Sequence, residues 1–174
     1  LFTLENHLKP ENIYAFEPNP QLFKRLRRLF PKVNLSSIAL SDISTIAEFK
    51  IPVMNGEKIH TRGTLQTSSK EKNEEKTILQ KVEVKPLDDL VFDEVYIERS
   101  RNAQTDNRMF QKLDFIKIDV EGNEMQTLRG AKKTIEKFKP ILMVEMEQRH
   151  HEENLWTLIS EIAERKKIPL KFLE

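Results

Sequence analysis

The stretch Phe115-Ile116-Lys117-Ile118-Asp119-Val120 is followed by Gly122-Asn123, and then by Met125, Leu128, Ala131, Ile135 and Phe138 at helical spacing. Ile141-Leu142-Met143-Val144 comes next, a continuous apolar run. This order predicts a strand, a turn, a helix and a second strand. Lys139-Pro140 closes the helix, because proline offers no amide to it and clashes with the preceding turn. The unbroken apolar run predicts a strand covered on both faces.

The same rhythm runs through the first half. Ile13 to Phe16 is a short apolar run, and Asn19-Pro20 supplies a helix cap with proline at the first helical position. Leu22, Phe23, Leu26, Leu29 and Phe30 then recur on one helix face, with Lys24, Arg25, Arg27 and Arg28 on its solvated side. A further apolar stretch from Leu35 to Leu40 ends at Ser41-Asp42, and Ala47 to Ile51 and Val82 to Lys85 alternate like half-buried strands. A helix from about Asn154 to Lys166 and a strand from Leu170 to Leu173 complete the pattern. Strands alternating with helices predict an α/β fold, a mostly parallel sheet with helices on both faces. Residues 67–76 and 100–108 are polar and without apolar period, and are read as flexible loops in a single domain over 1–174.

Three of these strands end on an acid: Glu17, Asp119 and Glu145. In open parallel sheets ligands lie in the crevice beyond the carboxyl ends of the strands, where a carboxylate can accept both hydroxyls of a ribose. Alternatively, each acid caps the helix that follows it, as the helix dipole favours. Three such acids at one sheet edge favour a site.

Composition narrows the partners. A formal net charge of +1 gives no reason to expect nucleic acid or a membrane surface as a partner. The absence of cysteine excludes disulfides and thiolate metal sites and suits a cytoplasmic setting. No metal is expected: His150-His151 could join Glu145 or Glu147, but adjacent side chains of an extended segment point apart. Oligomeric state is not legible.

The segments "YAFEPNPQLFKRL", "SSIALSD", "VKPLDDLV", "LDFIKIDVEGNEMQTLRGA" and "KPILMVEM" occur in an order that resembles the FkbM family of S-adenosylmethionine-dependent methyltransferases. The resemblance implies a Rossmann-like class I methyltransferase sheet, one strand of it reversed, and methylation of a hydroxyl on a sugar or other small metabolite. It also implies that Glu17, with Pro18 beside it in the Phe16-Glu17-Pro18 motif, binds the cofactor ribose. Asp42 would lie near the adenine amino group, and Asp119 and Glu121 would line the floor between cofactor and acceptor. Asp119, Glu121, Glu145 and His150 are then the candidates to accept the acceptor's proton, although His150 sits in a charged stretch that suits a solvated pair.

One departure stands out. The family's first strand and its glycine-rich turn should precede Leu8, yet Gly56, Gly63, Gly122 and Gly130 all lie later. Together with a start at Leu1, this suggests an N-terminally trimmed, inactive fragment. A nicotinamide-dependent oxidoreductase, which also uses an acid after the second strand, and a non-catalytic domain that keeps the fold are the alternatives. Met125, Met143, Met146 and Trp156 are read as core, and Thr61 to Thr64 as an ordinary turn.

Overall fold

The computed structural model describes residues 1–66, 74–92 and 111–145. They fall into two compact units, Leu1–Leu40 with Ser44–Val84, and Ser41–Ile43 with the chain from Lys85 onward. The expected helix near 154–166, the strand near 170–173, the loop at 100–108, Met146, His150 and Trp156 lie outside the described residues, as do residues 67–73 of the first loop.

In the first unit a short helix α1 (Phe2–Glu5) leads to strand β1 (Tyr14–Phe16), helix α2 (Pro20–Leu29) and strand β2 (Asn34–Ser36). Strand β1 pairs with β2 in parallel, Tyr14 beside Asn34 and Phe16 beside Ser36. Helix α2 starts where the sequence places it: Asn19 Oδ1 accepts from the Gln21 and Leu22 amides, and Pro20 fills the first helical position. Its four basic residues are exposed, and Ile13, Phe30 and Val33 form a buried cluster with Leu1, Leu4, Ala15 and Leu26.

The stretch Leu35 to Leu40 does not form one strand. It divides at Ser37, and strand β3 (Ile38–Leu40) enters a different sheet with β4 (Thr45–Met54), β5 (Glu57–Lys58) and β6 (Lys76–Lys85), in the order β3-β6-β4-β5. Strand β4 runs antiparallel to β6, from Thr45 beside Val84 to Val53 beside Lys76, and antiparallel to β5. The largest sheet is therefore not parallel. Strand β6 carries the alternation noted in the sequence, the one-sided burial usual in antiparallel sheets, whereas β4 departs from it and is buried at every position from Phe49 to Pro52. Val82 and Val84 are buried with Ala39, Phe49 and Ile51, while Lys81 and Glu83 face out.

Strands β4 and β5 are joined through Asn55 and Gly56, both at positive φ (50° and 74°), the dipeptide that two-residue hairpins favour. Glu75 secures this turn by accepting from both of their amides, at 3.1 and 3.0 Å. Lys50 and Glu74 form a buried ion pair at 2.8 Å.

The second unit contains helix α3 (Leu87–Phe92), strand β7 (Phe115–Ile118), helices α4 (Glu124–Gly130) and α5 (Lys132–Phe138), and strand β8 (Ile141–Val144). Strands β7 and β8 are parallel with Phe115 beside Ile141 and Ile118 beside Val144, as the strand-helix-strand pattern predicts. The single expected helix is broken at Ala131. A Cβ on Gly130 would lie 1.9 Å from the Ser41 carbonyl oxygen, so the helix backbone passes against Ser41 at a distance only glycine allows.

Ala131 has no side chain to cap the new helix, and Asp88 of α3 supplies the cap instead. Its carboxylate accepts from the Lys133 amide at 2.9 Å, the Thr134 amide at 2.8 Å and the Thr134 hydroxyl at 2.7 Å. Lys139 ends α5 in the left-handed region (φ 51°), immediately before Pro140. Strand β8 departs from expectation, because Ile141 is 70% exposed and Met143 is exposed too. The register sets Phe115 beside Ile141 and Lys117 beside Met143, so this face of the strand pair is apolar at one end and charged at the other. Met125, by contrast, is buried as expected.

Candidate functional site

Glu17 follows β1 directly, and its own amide donates to the Ser36 carbonyl at 3.0 Å, continuing the parallel ladder past the end of the strand. The side chain is half-buried. Its Oε1 accepts from the Asn19 backbone amide at 2.8 Å. Burial raises the carboxyl pKa above its ordinary value, against the pull of that hydrogen bond. A desolvated carboxylate with one oxygen already held by an amide is suited to accepting neutral hydroxyl donors through the other. Pro18 then turns the chain into the cap of α2, whose residue Asn19 is fully buried.

The acids of the second unit have a different setting. Asp119 and Glu145 follow β7 and β8, and Lys117 Nζ reaches both, at 2.5 Å to Asp119 Oδ2 and 3.3 Å to Glu145 Oε2. All three side chains are substantially exposed. Burial by itself lowers the Lys117 pKa, but the hydrogen bonds and charges of Asp119 and Glu145 outweigh it and hold the ammonium above its ordinary value. Glu145 is fixed at its backbone as well, its amide donating to the Ile118 carbonyl at 2.9 Å.

Glu121 and Gly122 both have positive φ (48° and 93°), a conformation that is uncommon for a glutamate and bends the chain sharply after β7. Glu124 is buried at the start of α4, and its Oε1 accepts from the Gly122 amide at 3.0 Å. Asp42 is exposed, with Oδ1 accepting from the buried Ser41 hydroxyl at 3.3 Å.

Asp119 and Glu145 are thus brought together by Lys117, which no strand-end acid pattern marks. Lys117 lies two positions before Asp119 on the same strand, and that period-two relation is a signal the sequence carries. His60 is likewise unmarked: its Nδ1 lies 3.0 Å from Asn19 Nδ2. Nothing local to His60 announces that contact, since the partners are 41 residues apart.

Two parallel strand pairs, one followed by Glu17 and the other by Asp119 and Glu145, stand beside a mixed sheet in an α/β protein. The FkbM methyltransferase domain matches residues 4–166, and the chain belongs to that family. No curated protein matches it. Among solved structures, the FkbM methyltransferase of Methylobacillus flagellatus KT is similar, with 16% sequence identity and a TM-score of 0.47, over 90% of this chain and 31% of that one. The chain therefore spans less than a third of the length of that protein. Among the described residues no helix is long and apolar enough to cross a membrane.

Proposed function

We propose that this chain is a single S-adenosylmethionine-dependent O-methyltransferase domain of Rossmann-like, class I type, acting in the cytoplasm on a hydroxyl of a sugar or other small metabolite. The observation that carries this is the placement of Glu17 directly past a parallel strand, half-buried and hydrogen-bonded through only one of its oxygens among the described residues. That donor chemistry fits the cofactor ribose: Glu17 Oε2 is left to accept its hydroxyls, with Pro18 holding the turn beside it.

When bound, S-adenosylmethionine supplies an activated methyl group, so the chain's own residues have mainly to orient, exclude water and accept one proton. Asp119, Glu121 and Glu145, with His150 outside the described residues, are the candidates to accept that proton. Lys117 restrains the two acids it bridges and offsets their charge as the acceptor hydroxyl approaches.

Calorimetric titration of the purified protein with S-adenosylhomocysteine, followed by transfer of labelled methyl to a panel of hydroxylated acceptors, tests this function. Binding and transfer to a sugar hydroxyl are expected of the protein that carries a glycine-rich strand-turn unit ahead of Leu8, and neither of the chain without that unit. Binding of a nicotinamide dinucleotide in its place would overturn it.

A further inference from the structure

The Asn19 side chain makes more contacts than a helix cap needs. Its Oδ1 accepts from the Gln21 and Leu22 amides at 3.1 and 3.5 Å, which completes the cap. Because those amides fix which end of the side chain is oxygen, the amide nitrogen must face His60, where it lies 3.0 Å from Nδ1 and 3.4 Å from the His60 carbonyl. Nδ1 therefore accepts, and the ring's proton sits on Nε2.

The imidazole is anchored in turn. His60 opens a 3₁₀ turn that is tied to β4 by the Ile59 amide donating to the Pro52 carbonyl at 2.8 Å. A continuous set of hydrogen bonds thus runs from β4 through the His60 turn to Asn19, whose own backbone amide holds Glu17 Oε1. Asn19 is fully buried, so without the imidazole its amide nitrogen keeps only the long 3.4 Å contact to the His60 carbonyl, and the residue whose backbone amide holds Glu17 is less firmly fixed.

We propose that His60 is a positioning residue for cofactor binding, acting through Asn19 on the Glu17 carboxylate. This rests on the reading of Glu17 as the ribose ligand. His60→Ala removes the acceptor at Nδ1, whereas His60→Asn can place a side-chain oxygen near the same point.

In the protein that carries the glycine-rich strand-turn unit ahead of Leu8, S-adenosylhomocysteine affinity is measured by calorimetry for the parent, His60→Ala, His60→Asn, Glu17→Ala and the Glu17→Ala/His60→Ala pair, with urea unfolding of each. His60→Ala is expected to weaken binding about fivefold, the scale of one buried hydrogen bond. His60→Asn should recover most of that loss, and His60→Ala should have little further effect once Glu17 is alanine. Unchanged affinity in His60→Ala, or a full fivefold loss that persists without Glu17, overturns the positioning role. Unchanged affinity in Glu17→Ala instead overturns the ribose reading itself. If His60→Ala does not fold, imidazole nitrogen NMR shifts of the parent decide: proton on Nε2 supports the contact and proton on Nδ1 overturns it.

Discussion

Glu17 and the Asp119–Glu145 pair satisfy the same sequence rule, an acid directly past a parallel strand, and they end up in opposite electrostatic settings. Glu17 is half-buried, is held by a backbone amide, and has its pKa raised by burial. Asp119 and Glu145 are exposed and share the Lys117 ammonium. Position at a strand end places a carboxylate at the carboxyl edge of its strand pair, but does not decide whether it becomes a desolvated hydrogen-bond acceptor or a solvated charge with a counter-ion. The neighbours supply that distinction: a buried cap residue in one unit, and a lysine two positions earlier on the same strand in the other.

The largest effect is expected at the solvated end. Asp119→Asn keeps the shape and removes the charge, so turnover should fall about a hundredfold, within the range of a lost proton acceptor, while stability changes by less than about 1 kcal/mol. Steady-state kinetics beside urea unfolding checks this, and a variant that loses stability but keeps its turnover would make Asp119 a structural acid.

At the desolvated end Glu17→Ala should weaken S-adenosylhomocysteine binding by about 1.5 to 3 kcal/mol, the range for hydrogen bonds to a charged group. If Asp119→Ala weakened that binding equally in the same calorimetric series, the contrast between the two ends would fail.

Asp88 offers a third kind of acid, within helix α3, where three hydrogen bonds cap α5. Asp88→Ala should lower unfolding free energy by about 1 to 2 kcal/mol, as loss of a helix cap does. Cofactor affinity in the folded fraction should be retained, so joint measurement separates a fold-supporting acid from the ligand-edge ones.

The smallest and most discriminating effect is on stability. Glu17 has a folded-state pKa raised above its unfolded value, so ionising it costs the fold. That cost is absent below the unfolded pKa, where both states are protonated, and is complete above the raised folded pKa. Glu17→Gln should therefore unfold at slightly higher urea than the parent at neutral pH, with the advantage fading as pH falls through the carboxylate range, even as cofactor binding weakens. A variant less stable than the parent at neutral pH would show that Glu17 is not desolvated at a cost to the fold.

Much of this was legible in the chain itself wherever the cause is local. Asn19-Pro20 determined the start of α2 and Pro140 the end of α5, because caps and proline stops act within a turn of the residue concerned. The parallel pairing of β7 with β8 followed from a strand-helix-strand pattern, and Glu17, Asp119 and Glu145 could be placed past strand ends by reading forward from apolar runs. Asn55-Gly56 is a hairpin signal that the strand pattern alone did not reveal, since two consecutive positive φ angles favour those residue types.

Only the tertiary structure decided the rest. The division of Leu35 to Leu40 between two sheets depends on what pairs with each half, and Ile38–Leu40 lies beside β6, far along the chain. The break at Ala131 depends on the Ser41 carbonyl against Gly130 and on the Asp88 carboxylate, neither of which leaves a mark on the helix's own periodicity. The Asn19–His60 contact and the exposure of Ile141 are of the same kind. Local sequence sets backbone preference through sterics and short-range hydrogen bonds, whereas sheet membership, burial and the partner of a polar side chain are fixed by whichever distant residues the fold brings alongside.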